Sequence, residues 1–172
     1  RVNVWKSQYD AKGQRTQSTN PLGKSTTVQY DTVGNLVSLT DPLNAKTENQ
    51  YDKQNRLIAV KDALGNVRTA QYDVEGQLTM VHDALSKPKR SYRYDLYGRL
   101  VEGRDGADNI VRSVYDENRI DELPTQIIYP TFTRGFTYDH RDRVTQTQDT
   151  TTGASPQTLT SLTAYDKKGQ PV

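Results

Sequence analysis

Apolar residues along this chain fall in short runs of five or six residues, cut at regular intervals by turn-forming residues. One series of runs is Leu36–Thr40, Leu57–Lys61 and Leu78–His82. The other covers residues 26–30, 47–51 and Val67–Tyr72. No stretch of ten residues carries an apolar period of 3.6, so the pattern predicts strands and excludes amphipathic helices. Neighbouring strand positions point to opposite faces, so Tyr30, Tyr51 and Tyr72 lie on one face and Gln29, Gln50 and Gln71 on the other.

The cuts between runs are of two kinds. The first follows a tyrosine as Asp-x-x-Gly: Asp10 with Gly13, Asp31 with Gly34, Asp73 with Gly76, Asp95 with Gly98. The second lies ten residues on, with Asp62 and Gly65, and is echoed by Asn20 and Gly23. An Asp at the first position of a type I turn accepts backbone N–H groups two residues on. A following residue at positive φ completes a tight hairpin with a bulge. Where glycine is missing, Asn55 and Asp142 replace it in the first turn and Asn44 and Asp108 in the second. Asn and Asp are the residues that best tolerate that conformation.

The tyrosine and aspartate that open each first turn recur eight times, at Tyr9, Tyr30, Tyr51, Tyr72, Tyr94, Tyr115, Tyr138 and Tyr165, in steps of 21, 21, 21, 22, 21, 23 and 27 residues. The aspartates of the regular part are Asp10, Asp31, Asp52, Asp73, Asp95 and Asp116. A period kept this long marks a repeat architecture. Each repeat reads as one β-hairpin, and consecutive hairpins join through a second tight turn into an antiparallel meander. Stacking aligns equivalent side chains in columns: the tyrosines, the glutamines, Leu36 with Leu57, Leu78 and Leu100, and the turn leucines Leu22, Leu43, Leu64 and Leu85. The tyrosine and leucine columns are the expected thin core. Leu57 and Val60 are three apart and cannot share a face of a regular strand. A bulge, or a strand with apolar neighbours on both faces, would reconcile them.

The register loosens after residue 117. Asp116-Glu117-Asn118 followed by Arg119-Ile120 predicts a first turn one residue short. Pro130 opens a turn after Ile127-Ile128-Tyr129, and Phe132–Tyr138 returns as a strand. Residues 150–160 are rich in Thr, Ser, Gly and Pro and are expected to form a mobile surface loop.

Apolar residues make up 33% of the chain, and the mean hydropathy is −0.89. Such polarity favours a thin sheet, wet on much of both faces. Disorder is excluded by a net charge of only +2 together with the strict register. The same charge argues against general nucleic-acid binding. The cluster Lys87, Lys89, Arg90 and Arg93 reads as a solvated strand and turn rather than a phosphate or glycan contact. Cysteine is absent, which excludes disulfides and thiolate metal sites. No apolar run approaches the ~20 residues of a membrane span. The chain starts at Arg1 and stops within a repeat at Lys167-Lys168-Gly169-Gln170, so a piece of a longer protein is expected.

Tyr-Asp-x-x-Gly-[Asn/Arg/Gln]-Leu, followed by Asp-[Pro/Ala]-Leu-Gly-Asn, resembles the Rhs/YD repeat. Ile128-Tyr129-Pro130 leading to Phe136-Thr137-Tyr138-Asp139 is similar to that family too. The resemblance covers nearly the whole chain. It implies an all-β fold in which repeated antiparallel β-hairpins form a curved strip, part of a YD-repeat shell. Residues 1–172 would be a single array of about eight repeats, regular over 9–116 and irregular over 117–172. The family includes bacterial polymorphic toxins, cocoon-forming components of insecticidal toxin complexes, and teneurins at animal cell surfaces. In bacterial members the shell encloses a C-terminal toxic domain. The implied function is therefore a structural wall segment of a shell around such a domain, in a toxin that is secreted or delivered by a bacterial secretion system. The implied partners are the remaining repeats of the shell and the enclosed domain. The alternative is a cell-surface binding module that recognises glycan or protein through the exposed strip. Bacterial shells commonly end in an autoproteolytic segment near a D-P-x-G-L signature. Asp41-Pro42-Leu43-Asn44 lacks the Gly-Leu and the preceding glycine-rich run, so it reads as an ordinary turn.

Nothing in the sequence suggests an enzyme. His82 and His140 lie in different repeat contexts with no ligand spacing around them. The aspartates occupy turn positions, not a paired acid/base arrangement. The glycine-rich Ca²⁺ nonapeptide, the phosphate loop and zinc spacings are missing, so no cofactor or metal is expected. A strip of hairpins also has unpaired strand edges, and self-association through them is expected.

Overall fold

The turn residues set the architecture. In the computed structural model, which describes residues 4–85, 87–118 and 122–172, every Asp-x-x-Gly of the sequence is a tight hairpin turn. The Gly13 amide donates to the Asp10 carbonyl at 3.0 Å, and the Asp10 amide closes the loop on the Gln14 carbonyl at 2.9 Å. The fourth residue takes the positive φ it requires, from Gly13 at 79° to Gly34 at 103°. The predicted substitutes do the same, with Asn44 at 64°, Asn55 at 62°, Asp108 at 63° and Asp142 at 61°.

Between the turns the chain is all strand, with no helix among the described residues. It forms two compact units, Arg1–Pro88 and Lys89–Val172. The first holds β1 (Lys6–Tyr9), β2 (Arg15–Thr19), β3 (Ser25–Tyr30), β4 (Leu36–Thr40), β5 (Lys46–Tyr51), β6 (Leu57–Lys61) and β7 (Val67–Tyr72), then β8 (Leu78–His82). Each pairs antiparallel with the next. The second unit opens with β9 (Pro88–Tyr94) and continues with β10 (Leu100–Asp105), β11 (Ile110–Tyr115), β12 (Pro124–Ile128), β13 (Phe132–Tyr138), β14 (Val144–Thr151) and β15 (Thr158–Leu162). These too pair antiparallel in chain order. The predicted bounds of β4, β6, β7, β8 and β13 agree with the structure to the residue.

A bulge accompanies each repeat tyrosine from Tyr9 to Tyr138. Tyr51 pairs with Leu57, but Gln50 pairs with Ala59, so Ile58 is the extra residue. The same shift occurs beside Tyr9, Tyr30, Tyr72, Tyr115 and Tyr138. It explains Leu57 and Val60. Their partners Tyr51 and Asn49 are two apart in β5, so both residues share the tyrosine face.

The core is thinner than expected. Among the described residues no hydrophobic side chain is buried; only Ser38 and Arg99 are, and neither completely. The repeat tyrosines Tyr30, Tyr51, Tyr72, Tyr94, Tyr115, Tyr138 and Tyr165 are half-buried. The fourth column is a correction. Leu22, Leu43, Leu64 and Leu85 are 85%, 76%, 88% and 76% exposed, because the third position of a tight turn projects from the hairpin tip. The loop expected over residues 150–160 is also corrected. Thr150 pairs with Thr158 and Asp149 with Leu159, so residues 152–157 alone connect β14 to β15. The β-branched threonines favour extended backbone and outweigh the turn residues among them. The shortened first turn expected at Arg119-Ile120 lies outside the described residues.

Candidate functional site

The seam between successive repeats is where the recurring side chains converge. Within a hairpin the ladder runs up to the tyrosine. Between hairpins it is shorter: β4 and β5 pair only from Thr40–Lys46 to Ser38–Glu48. The Leu36 carbonyl lies beyond that end. The Tyr51 hydroxyl donates to it at 2.9 Å, and the Asn49 side-chain amide at 3.0 Å. The geometry repeats down the chain. Tyr30 donates to Arg15 at 3.3 Å, Tyr72 to Leu57 at 3.0 Å, and Tyr115 to Leu100 at 3.0 Å. Tyr138 donates to Pro124 at 2.8 Å and Tyr165 to Val144 at 2.9 Å. Each tyrosine thus ties its repeat to the first strand residue after the preceding repeat's first turn. Tyr9, at the start of the series, is 62% exposed.

The residue after each first turn braces the seam from the other side. Arg56 bonds its own turn through Nε to Asp52 at 2.6 Å, and the next turn through Nη1 to the Asp73 carbonyl at 3.1 Å. Its guanidinium lies 4.8 Å from the centre of the Tyr72 ring. Arg99 repeats this on Asp95 at 2.7 Å and over Tyr115 at 4.4 Å; Arg143 does so on Asp139 at 2.8 Å and over Tyr165 at 4.3 Å. Where the residue is shorter, the reach is kept with an amide. Asn35 bonds Asp31 and Asn55, both at 2.9 Å, and Gln14 reaches the Gly34 carbonyl at 3.3 Å. The sequence contained the signal for this brace, a position restricted to Asn, Arg or Gln, but not its target.

The turn aspartates are occupied by local hydrogen bonds. Asp10 accepts from the amides of Lys12 and Gln14 at 2.8 and 2.9 Å, Asp73 from Gln77 at 2.7 Å, and Asp116 from Asn118 at 2.9 Å. The Arg143 side chain, aided by the amides of Arg143 and Arg141, overcomes desolvation and holds Asp139 at about 2. The side-chain amides of Asn66 and Asn109 likewise lower Asp62 and Asp105. At Asp52 and Asp95 desolvation pushes upward, but the backbone and guanidinium bonds of Arg56 and Arg99 together outweigh it.

Other sequence candidates do not converge. His82 sits in β8 with its ring nitrogen 3.4 Å from the Thr69 hydroxyl, and His140 is an exposed turn residue. Among the described residues no group of three or more His, Asp or Glu could hold a metal ion. Gln8, Gln29, Gln50 and Gln71 are exposed, and so are Lys87, Lys89, Arg90 and Arg93. No helix among the described residues is long and apolar enough to cross a membrane. The arrangement therefore joins successive repeats through side-chain hydrogen bonds to the backbone.

Comparison with known proteins agrees with this geometry. The RHS Repeat family matches residues 9–46 and 51–88. None of the curated proteins matches the sequence. The crystal structure of TcdB2-TccC3-Cdc42 matches 97% of this chain with a TM-score of 0.72 at 16% identity. TcdB2-TccC3 without its hypervariable C-terminal region matches 98% with a TM-score of 0.69 at 17% identity. A Tc holotoxin pore from Photorhabdus luminescens matches 97% with a TM-score of 0.59 at 15% identity. The chain spans 10%, 10% and 12% of those three chains, respectively.

Proposed function

We propose that this chain, whose residues 9–46 and 51–88 are Rhs repeats, is one stretch of wall in a shell that encloses a toxic C-terminal domain. The structural role is the part the repeats and the toxin-complex likeness support directly. Enclosure of a cargo, and release or injection of the whole assembly by a bacterium, extend that role. The observation that carries the reading is the use of the tyrosine column. The hydroxyls of Tyr30, Tyr51, Tyr72, Tyr115, Tyr138 and Tyr165 are spent on the preceding repeat's backbone, and three rings lie under arginines. A column that recognised glycan or protein would present its rings to solvent instead. A wall needs no catalytic group, and the turn aspartates serve the backbone. Its partners are the remaining repeats and the enclosed domain.

The test is protease protection in the full-length protein. The C-terminal domain should resist digestion while the wall is intact and become sensitive when urea opens the repeats. Digestion at the rate of the free domain, with the repeats still folded, would contradict enclosure.

A further inference from the structure

The ladder between hairpins and the tyrosine bond beside it both end on backbone, so neither tells one neighbouring hairpin from another. The contact that varies is the brace, the residue that follows each first turn. What it meets is the positive-φ residue of the next first turn. Gln14 meets Gly34, and its Nε2 reaches the Gly34 carbonyl at 3.3 Å. A side chain on Gly34 would crowd it, because a Cβ there stands 3.2 Å from that nitrogen. Arg56 meets Gly76, with Nη1 3.6 Å from the place of a Cβ and 3.1 Å from the Asp73 carbonyl. Arg143 meets Gly169, with Nη1 3.3 Å from the place of a Cβ. In sequence, Gln77 likewise precedes Gly98. One seam departs in the brace and in the turn at once. Asn35 is shorter, the next turn carries Asn55 instead of glycine, and the Asn35 amide donates to the Asn55 Oδ1 at 2.9 Å.

We propose that brace and turn are a matched pair by which each hairpin recognises its proper neighbour: a long Gln or Arg fits a glycine turn, and a short Asn fits an asparagine turn. The two lengths together fill one gap. A long brace against an asparagine turn is crowded at the Cβ. Asn35 against a glycine turn is one methylene shorter than Gln14, and its amide stops short of the carbonyl that Gln14 reaches. Either mismatch leaves a half-buried amide without its bond, which costs more than a bond never made. Specificity is the difference between right and wrong partners. In a meander of look-alike hairpins the wrong partners are the other hairpins of the same strip. The asparagine pair marks the seam between β4 and β5. It keeps the β3–β4 hairpin from docking on a glycine turn such as that of Gly76, and it keeps a long brace such as Gln14 from docking on Asn55. The pairing concerns neighbours within one strip and does not rest on the wall reading.

The test is a double-substitution cycle, read by hydrogen exchange of the β4–β5 amides, where the ladder ends at Ser38–Glu48. Asn55→Gly keeps the turn, since glycine takes positive φ freely, but removes the acceptor, and protection should fall about fivefold. Asn35→Gln alone should also lower it, because the longer amide runs into the Asn55 side chain. The two together rebuild the arrangement of Gln14 with Gly34 and should restore most of the protection. A reciprocal cycle checks the crowding. Gly34→Asn should lower protection of the β2–β3 amides, and Gln14→Asn in the same chain should recover it. This second cycle decides the matter if Asn55→Gly fails to fold. Single effects that simply add, in either cycle, would overturn the proposal and leave the brace as a bond with no preferred neighbour. So would an Asn55→Gly variant whose seam exchanges like the parent's. Neither outcome touches the protease-protection result.

Discussion

Tyr72→Phe isolates the seam. The substitution keeps the ring under Arg56 and removes one hydroxyl, which bonds the Leu57 carbonyl at 3.0 Å. A bond of this kind contributes about 0.5–1.5 kcal/mol net, so a loss near 1 kcal/mol is expected. For a chain of this size that lowers the melting temperature by roughly 2–4 °C. The effect should be local. The β6–β7 ladder ends at Ala59–Thr69, next to the lost bond, and amide protection there should fall about fivefold. Tyr51→Phe should cost less, because Asn49 still donates to the Leu36 carbonyl at 3.0 Å. Tyr9→Phe should cost nothing measurable, since that ring is 62% exposed. Hydrogen exchange followed by mass spectrometry, with thermal melts, gives the ranking. Equal effects at Tyr72 and Tyr9, or none at Tyr72, would refute the claim that hydroxyls join the repeats.

Three further outcomes follow from the turns and braces. Gly76 has φ 88°, so Gly76→Val should destabilise by about 1–3 kcal/mol through backbone strain and Gly76→Asn by clearly less; urea midpoints that agree for the two would reject the turn geometry. Arg99 is 9% exposed and serves Asp95 and the Tyr115 ring at once. Arg99→Lys cannot do both, and a loss of about 1 kcal/mol is expected from the lost ring contact alone, read as a lower urea midpoint. Acid should weaken the fold in a defined window. Asp139 titrates at about 2 when folded against ~3.9 when unfolded. The unfolded state therefore binds more protons as pH falls, so this contribution is intact above pH ~4 and fades toward pH ~2. The urea midpoint should be level from pH 7 to 5 and drop below 4, and Asp139→Asn should flatten the drop.

The turns were legible because their chemistry is local. Asp with Gly, Asn or Asp three residues on fixes the loop wherever it occurs, which is why Asn44 and Asp142 could be placed without a structure. Strand bounds followed, and the conflict between Leu57 and Val60 pointed to a bulge that the register contains. Side-chain destinations were less legible. Leu22 and Leu36 recur with equal regularity, but one sits on a tip and the other in a strand, and periodicity alone does not tell tip from core. Arg56 belonged to a recognised motif position, yet its contact with the Asp73 carbonyl depends on how hairpins stack, which no single repeat encodes. The threonines around the 152–157 connection show strand preference prevailing over turn residues once a partner strand is adjacent.

The most direct test of the wall is an electron cryo-microscopy map of the full-length protein at side-chain resolution. This account predicts that residues 9–115 lie within a continuous wall around a cavity. In that wall the Tyr30, Tyr51, Tyr72 and Tyr115 hydroxyls rest on the carbonyls of Arg15, Leu36, Leu57 and Leu100. A map in which this stretch stands apart from any enclosure, with those rings turned to solvent or to a bound ligand, would contradict it.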